Sequence, residues 1–147
     1  MHSGLYLLAF VAGAALVVQI GMNAVIGRAF GGNAVGAVFV NFTVGAVGLF
    51  LFLVATRAAL PQREQVVAIP TWAWFGGLIG AFYVATVTIA GPRVGALAVL
   101  ALTVAGQMAA SLLVDHFGLL GFPREPVSLL KLFGAGLLFA GVVIVAR

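Results

Sequence analysis

The sequence has no cysteine and few charged side chains. Without thiols it cannot form disulfides, thiolate metal sites or cysteine nucleophiles. Charged residues make up 7% of the 147 residues, against about 25% in a typical soluble domain. So few charges cannot cover a water-facing surface, which excludes a soluble globular domain. Intrinsic disorder is excluded as well, because it requires low hydrophobicity, whereas 64% of this chain is hydrophobic.

Nucleic-acid binding and enzymatic catalysis also lack support in the sequence. The seven basic residues are spread along the chain without a basic cluster, so the electrostatic footprint of a nucleic-acid-binding protein is missing. We find no nucleophile beside a general base and no ligand set for a metal. We therefore expect no enzyme activity, no cofactor and no bound metal.

The seven basic and three acidic residues separate long uncharged runs. A helix that crosses a bilayer needs about 20 apolar residues. Four of the runs are each long enough for one helix, and a fifth reaches that length if Lys131 extends its ammonium toward the headgroups. The predicted fold is all-α: one polytopic transmembrane domain over 1–147 with five spans, at 5–26, 34–55, 72–90, 94–114 and 127–146.

Prolines and capping residues predict where these spans begin and end. Pro61 and Pro70 bracket the polar loop after the second span, and Trp72 stands where an interfacial aromatic residue is expected. Pro92 is predicted in the first turn of the fourth span, where its missing N–H has no cost. Ser128 is predicted to cap the fifth span.

The distribution of basic residues favours insertion in both orientations. Five spans place the two termini on opposite sides, and Lys/Arg bias in short loops sets orientation. One side carries four basic residues and the other three: Arg57, Arg63, Arg124 and Lys131 against Arg28, Arg93 and Arg147. The alternative is one orientation, set by Arg57 and Arg63. Two inverted copies would form a ten-helix antiparallel homodimer with inverted-repeat symmetry, a layout common in transporters.

Polar side chains inside the spans are candidates for a substrate cavity, because polar groups in hydrocarbon cost free energy. The fourth span carries Thr103, Gln107 and Ser111 at a spacing of four, which places them on one helix face. The other candidate cavity residues are Gln19, Asn23, Asn41, Tyr83 and Thr86.

Each candidate also has a structural interpretation. Buried amides can simply hold helices together, and only the set as a whole favours a cavity. For Thr86, Thr88 and Thr103 we favour a bond from the hydroxyl to the backbone of the same helix. Asp115 and His116 could form a pH-sensitive coupling pair, but we favour an interfacial role at the end of the fourth span.

Three segments resemble the YdcZ-type family of small bacterial inner-membrane proteins. They are 91–96 (GPRVGA), 104–119 (VAGQMAASLLVDHFGL) and 19–24 (QIGMNA). The resemblance implies a five-helix half-transporter of the drug/metabolite transporter superfamily, whose relatives occur as single genes, gene pairs or ten-helix fusions. It also implies functional roles for the matching residues Gln19, Asn23, Gln107, Ser111, Asp115 and His116.

We derive three functional hypotheses. The first is a secondary transporter in the inner membrane that moves a small polar metabolite by alternating access as an antiparallel dimer; amides and hydroxyls offer donors and acceptors without fixed charge. The second is a small dual-topology passive channel of the fluoride-channel type. The third is a membrane assembly subunit that transports nothing. The expected partners are lipid, a second copy and a small solute, but no nucleic acid.

Overall fold

The structure of the protein is a computed structural model that describes residues 3–146. It is all-helical over those residues, and Arg147, which entered the charge count, lies outside them. A 3-10 helix at Thr71–Phe75 leads directly into α4. The α-helices are α1 (Ser3–Ala29), α2 (Ala34–Ala55), α3 (Arg63–Val67), α4 (Gly76–Val94), α5 (Ala96–Phe117) and α6 (Leu129–Val145).

Four helical segments are long and apolar enough to cross a membrane. They are Ser3–Ala29, Ala34–Ala55, Thr71–Val94 and Ala96–Phe117, and no more than 17% of any of these windows is buried inside the protein. Most apolar side chains therefore face outward, as in a protein whose solvent is lipid. The predicted membrane class and the second span are confirmed.

The fifth predicted span is shorter than expected. Helix α6 has 17 residues, at the lower end of the roughly 17–25 that cross a bilayer. It begins at Leu129 because Ser128 caps it, with the Ser128 hydroxyl accepting from the Lys131 N–H at 3.2 Å. The predicted cap is confirmed. The Lys131 ammonium reaches out of the helix and contacts a Glu125 carboxylate oxygen at 2.8 Å.

The predicted boundary between the third and fourth spans is wrong. Helix α4 continues through Pro92 to Val94, and the chain leaves the helix at Gly95, which has a φ of 99°. Only glycine adopts that conformation readily, so the break falls there. Pro92 thus lies in the last turn of α4, where it withholds the backbone N–H that would otherwise bond to the Thr88 carbonyl.

The polar loop after α2 contains more structure than the sequence predicts. Between the two prolines lies α3, a helix of five residues, whose first turn is supported by a bond from the Gln62 N–H to the Gln65 side-chain oxygen at 2.9 Å. Five residues are too few for an apolar period to show. Trp72 follows in the 3-10 helix and is exposed.

The chain divides into two compact units, Met1–Pro92 and Arg93–Arg147. In the first, α1 and α2 form a helical hairpin. A Cβ on Gly27 would lie 3.5 Å from the Ala34 Cα, which shows how closely the two helices meet. In the second, α5 packs against α6, and Ala105 and Ala135 are buried. One transmembrane domain stays a prediction.

Candidate functional site

A chain of hydrogen bonds between polar side chains connects three helices of the first unit. The Asn23 amide on α1 is completely buried, and its Nδ2 donates to the Thr88 hydroxyl on α4 at 3.1 Å. The Asn23 side-chain oxygen accepts from the Asn41 Nδ2 on α2. We call these three residues the amide bridge.

Small residues bring the three helices close enough for these bonds. The buried positions of α1 are Ile20, Asn23 and Gly27, which share one face at helical spacing. Gly27 lies against the start of α2, and on α4 the buried Gly91 follows Thr88 by one turn. A Cβ on Gly91 would lie 3.1 Å from the Ile20 Cγ2. A larger residue at that position would press against the Ile20 side chain.

The amide bridge lies in the half of the α1–α2 hairpin that is next to its connected end. Asn23 precedes the end of α1 at Ala29 by six residues, and Asn41 follows the start of α2 at Ala34 by seven. At 1.5 Å per residue, both lie about 10 Å from that end. Gln19, one turn deeper on α1, is half-buried.

The amide bridge carries no formal charge, and its members differ in accessibility. Asn23 and Thr88 are 0% and 2% exposed, whereas Asn41 is only half-buried. No buried side-chain nitrogen or oxygen lacks a partner in the described part of the chain, as expected for polar groups away from water. Asn41 can therefore offer its side-chain oxygen and second amide hydrogen to a solute, while Asn23 holds it in place.

Thr88 is the residue that sequence reasoning missed. It lies off the face shared by Tyr83 and Thr86, and a backbone bond was the favoured interpretation. Instead its hydroxyl accepts a bond from another helix. The pattern that could have indicated this role is Thr88 followed by Gly91, because a small residue one turn along marks a close helix approach. Tyr83 is half-buried and Thr86 is exposed.

The polar face of α5 belongs to the second unit and is organised differently. The Thr103 hydroxyl donates to the Leu100 carbonyl at 3.0 Å, so the predicted backbone bond is confirmed for this residue. Gln107 and Ser111 are exposed. Within residues 3–146, neither side chain has a hydrogen-bond partner, unlike the amide bridge.

Asp115 and His116 stabilise the connection from α5 to α6. The Asp115 carbonyl accepts from the Glu125 N–H at 2.8 Å, and the His116 carbonyl accepts from the Arg124 Nε at 3.3 Å. The His116 Nδ1 accepts from the Val127 N–H at 3.2 Å, which requires the neutral ring with its proton on Nε2. These bonds satisfy carbonyls that a helix end leaves free. The geometry fits the structural role that we favoured.

The same connection contains an exposed ion pair. The Lys131 ammonium beside Glu125 donates to its carboxylate and holds the pKa of that group below its usual value. Residues 3–146 contain no group of three or more His, Cys, Asp or Glu side chains that could hold a metal ion.

Four apolar segments of membrane-spanning length, with a buried uncharged bridge inside one unit, define a multi-pass membrane protein. Residues 4–144 match the family described as "Putative inner membrane exporter, YdcZ". Because the match covers most of the chain, the protein belongs to the YdcZ family, and the resemblance is confirmed. It is a multi-pass inner-membrane protein with a role in transport. No curated protein and no solved structure gives a significant match.

Proposed function

We propose that the protein is a secondary transporter that moves a small polar metabolite across the inner membrane by alternating access, as an antiparallel homodimer. The observation that carries this proposal is the half-buried Asn41 amide, fixed by the buried Asn23 among apolar helices. A polar group costs free energy at membrane depth and is retained there mainly for function.

The substrate is a neutral or zwitterionic solute. Amide and hydroxyl groups offer both donors and acceptors without a fixed charge, and charged side chains are absent from the amide bridge. The proposed cavity residues are Gln19, Asn23, Asn41, Tyr83, Thr86, Thr103, Gln107 and Ser111. Asn23 acts by positioning Asn41, because it is completely buried.

The charge distribution supports the dimer. Four basic residues on one side of the membrane and three on the other give almost no orientation bias. Copies inserted both ways can pair about a two-fold axis in the membrane plane, as in transporters built from inverted repeats. The two-fold axis would then make the inward-open and outward-open states of the dimer equivalent in structure.

The test is transport by the purified protein in proteoliposomes, measured as solute-induced current or uptake across a panel of neutral and zwitterionic metabolites. Asn41→Leu should abolish the response. The matched control is Thr43→Val on the same helix, since the Thr43 hydroxyl bonds only to the Phe39 carbonyl of α2. Equal transport by both variants would remove Asn41 from the substrate path.

The same experiment separates the other two functions. A passive channel passes far more solute than a cycle limited by microsecond-to-millisecond motions. The run Asn41-Phe42-Thr43 is the feature compatible with a channel. An assembly subunit would show no flux in any condition and would tolerate Leu or Val along the polar face of α5.

A further inference from the structure

The polar face of α5, formed by Thr103, Gln107 and Ser111, is open at its last two residues, whereas Thr103 is half-buried. Gln107 and Ser111 are exposed, and the described residues supply no hydrogen-bond partner to either side chain. Ala105, which is buried, lies two residues away and therefore points in nearly the opposite direction. The packing that buries Ala105 leaves Gln107 and Ser111 uncovered, although Val99, one turn before Thr103 on the same face, is buried.

An open amide at membrane depth requires a partner. Lipid chains offer no hydrogen bonds, so polar groups in hydrocarbon are satisfied by protein or by a wet cavity. A protein partner for this face presents hydrogen-bonding groups at the same depth and spacing, and the rest of the face can line a wet cavity. The face itself has those properties.

Two features make the face complementary to its own inverted copy. Gln107 lies eleven residues after Ala96 and ten before Phe117, at the midpoint of α5. Thr103 and Ser111 stand four residues to either side of it. In an antiparallel pair centred on Gln107, Thr103 of one copy therefore opposes Ser111 of the other, and the two Gln107 residues oppose each other.

The chemistry of these pairs is reciprocal. Each glutamine amide has donors and an acceptor, so two of them can exchange hydrogen bonds, and hydroxyls both donate and accept. A two-fold contact of this kind uses the same surface on both partners. An axis through the midpoint of a spanning helix also lies at the bilayer midplane, which is required when copies insert in opposite orientations.

We infer that α5 packs antiparallel against α5 of a second copy of this chain, across a two-fold axis at Gln107. The inference rests on the proposed antiparallel homodimer and specifies its contact. The substrate cavity is then incomplete in one copy, because each copy supplies one Gln107 at the axis.

The test is oxidative cross-linking in native membranes. Because the chain has no cysteine of its own, any disulfide between two copies joins introduced cysteines. Thr103→Cys and Ser111→Cys are placed on separate, differently tagged copies that are co-expressed. This mixed pair should give about ten-fold more disulfide-linked dimer than Thr103→Cys paired with itself, because disulfides need Cα atoms within about 7 Å. Two Thr103 positions would lie about 12 Å apart along the helices.

Gln107→Cys should also cross-link to Gln107→Cys of a second copy. This result is independent of the mixed pair, because the Thr103→Cys and Ser111→Cys variants both keep Gln107. Leu102→Cys is the control, because Leu102 is exposed on another face of α5; it should stay uncross-linked with Ser111→Cys. A dimer linked through Thr103–Thr103 and Ser111–Ser111 would be parallel and would overturn the inference. Membrane-inserted variants that give no mixed-pair product would overturn it too.

Transport is measured separately, so the two proposals can fail separately. If the mixed pair cross-links but the protein moves no solute, the α5–α5 contact is supported and the proposed transporter function is rejected. Solute transport without mixed-pair product would retain the transporter and reject this contact.

Discussion

The Asn23 Nδ2 donates a hydrogen bond to the Thr88 hydroxyl at 3.1 Å, although the two residues are 65 positions apart in sequence. Both side chains are buried, with 0% and 2% exposure. The bond ties α1 to α4, and Asn41 extends it to α2. A polar contact of this kind is costly to break, because the group left behind has no water to replace its partner.

Removing the Thr88 hydroxyl should destabilise the protein. In Thr88→Val the shape is retained, but the buried Asn23 amide loses its acceptor, at a cost of about 1–3 kcal/mol. Thr88→Ser keeps the hydroxyl and should lose less. Unfolding in detergent measures both. Thr43→Val is the control, because that hydroxyl bonds only to the Phe39 carbonyl of its own helix. Equal losses in all three variants would mean that the bond is not stabilising.

Topology can be read by labelling. Because the chain has no cysteine, single cysteines at Arg28 and at Arg63 report one loop each, and dual insertion predicts that both label from both sides of intact cells. Two lysines added to one set of loops should force one orientation and abolish activity. Co-expression of a second copy with two lysines in the opposite set of loops should restore the activity. Labelling from one side only would contradict the antiparallel homodimer.

Proton coupling through Asp115 is not expected. The residue lies in the last turn of α5, where its carbonyl accepts from the Glu125 N–H, and its carboxylate makes no hydrogen bond within residues 3–146. Asp115→Asn should therefore retain substantial transport. Currents recorded with and without a pH gradient give the comparison. Loss of transport together with loss of the gradient response would identify Asp115 as the proton carrier.

Gln107→Leu separates the cavity role of the α5 polar face from helix packing. Leucine replaces the amide with an apolar group of similar size, so each copy should still fold, although the inferred Gln107–Gln107 hydrogen bonds of the dimer would be lost. Substrate binding per folded dimer should disappear, since each solute group left facing hydrocarbon costs about 1–3 kcal/mol. Ligand titration of the purified dimer, corrected for dimer content, is the measurement. Unchanged binding at reduced dimer stability would assign the face to packing alone.

The Glu125–Lys131 pair predicts a small stability change with pH. The pKa of Glu125 is lowered from 4.5 by Lys131, so the pair contributes stability above pH 4.5, and this contribution is lost as the pH falls through the lower, folded-state pKa. Glu125→Gln should lower the melting temperature slightly at neutral pH, with no difference in strong acid. The effect is small because the pair is exposed. Glu64→Gln in the exposed α3 is the control. A deficit that persists in strong acid would contradict the ion pair.

Several features of the fold follow from local sequence and were predictable. The charged residues set the lengths of the apolar runs, and the second span has the same bounds in sequence and structure. Ser128 caps α6 because its hydroxyl meets the Lys131 N–H three residues on, a purely local interaction. The predicted position of Pro92 is wrong, because α4 continues past it to Val94 and the conformation of Gly95 sets the break.

The sequence by itself determined the class of protein, because apolar run length and scarcity of charge are sums over the chain that do not depend on packing. It also determined the uncharged character of the polar groups and the four-residue spacing on α5. Only the tertiary structure decided which polar groups meet. Asn23 and Thr88 belong to helices that are distant in sequence, and no local period encodes their contact. Their bond lies beside the close contact between Gly91 of α4 and Ile20 of α1, and close approach is a property of paired surfaces.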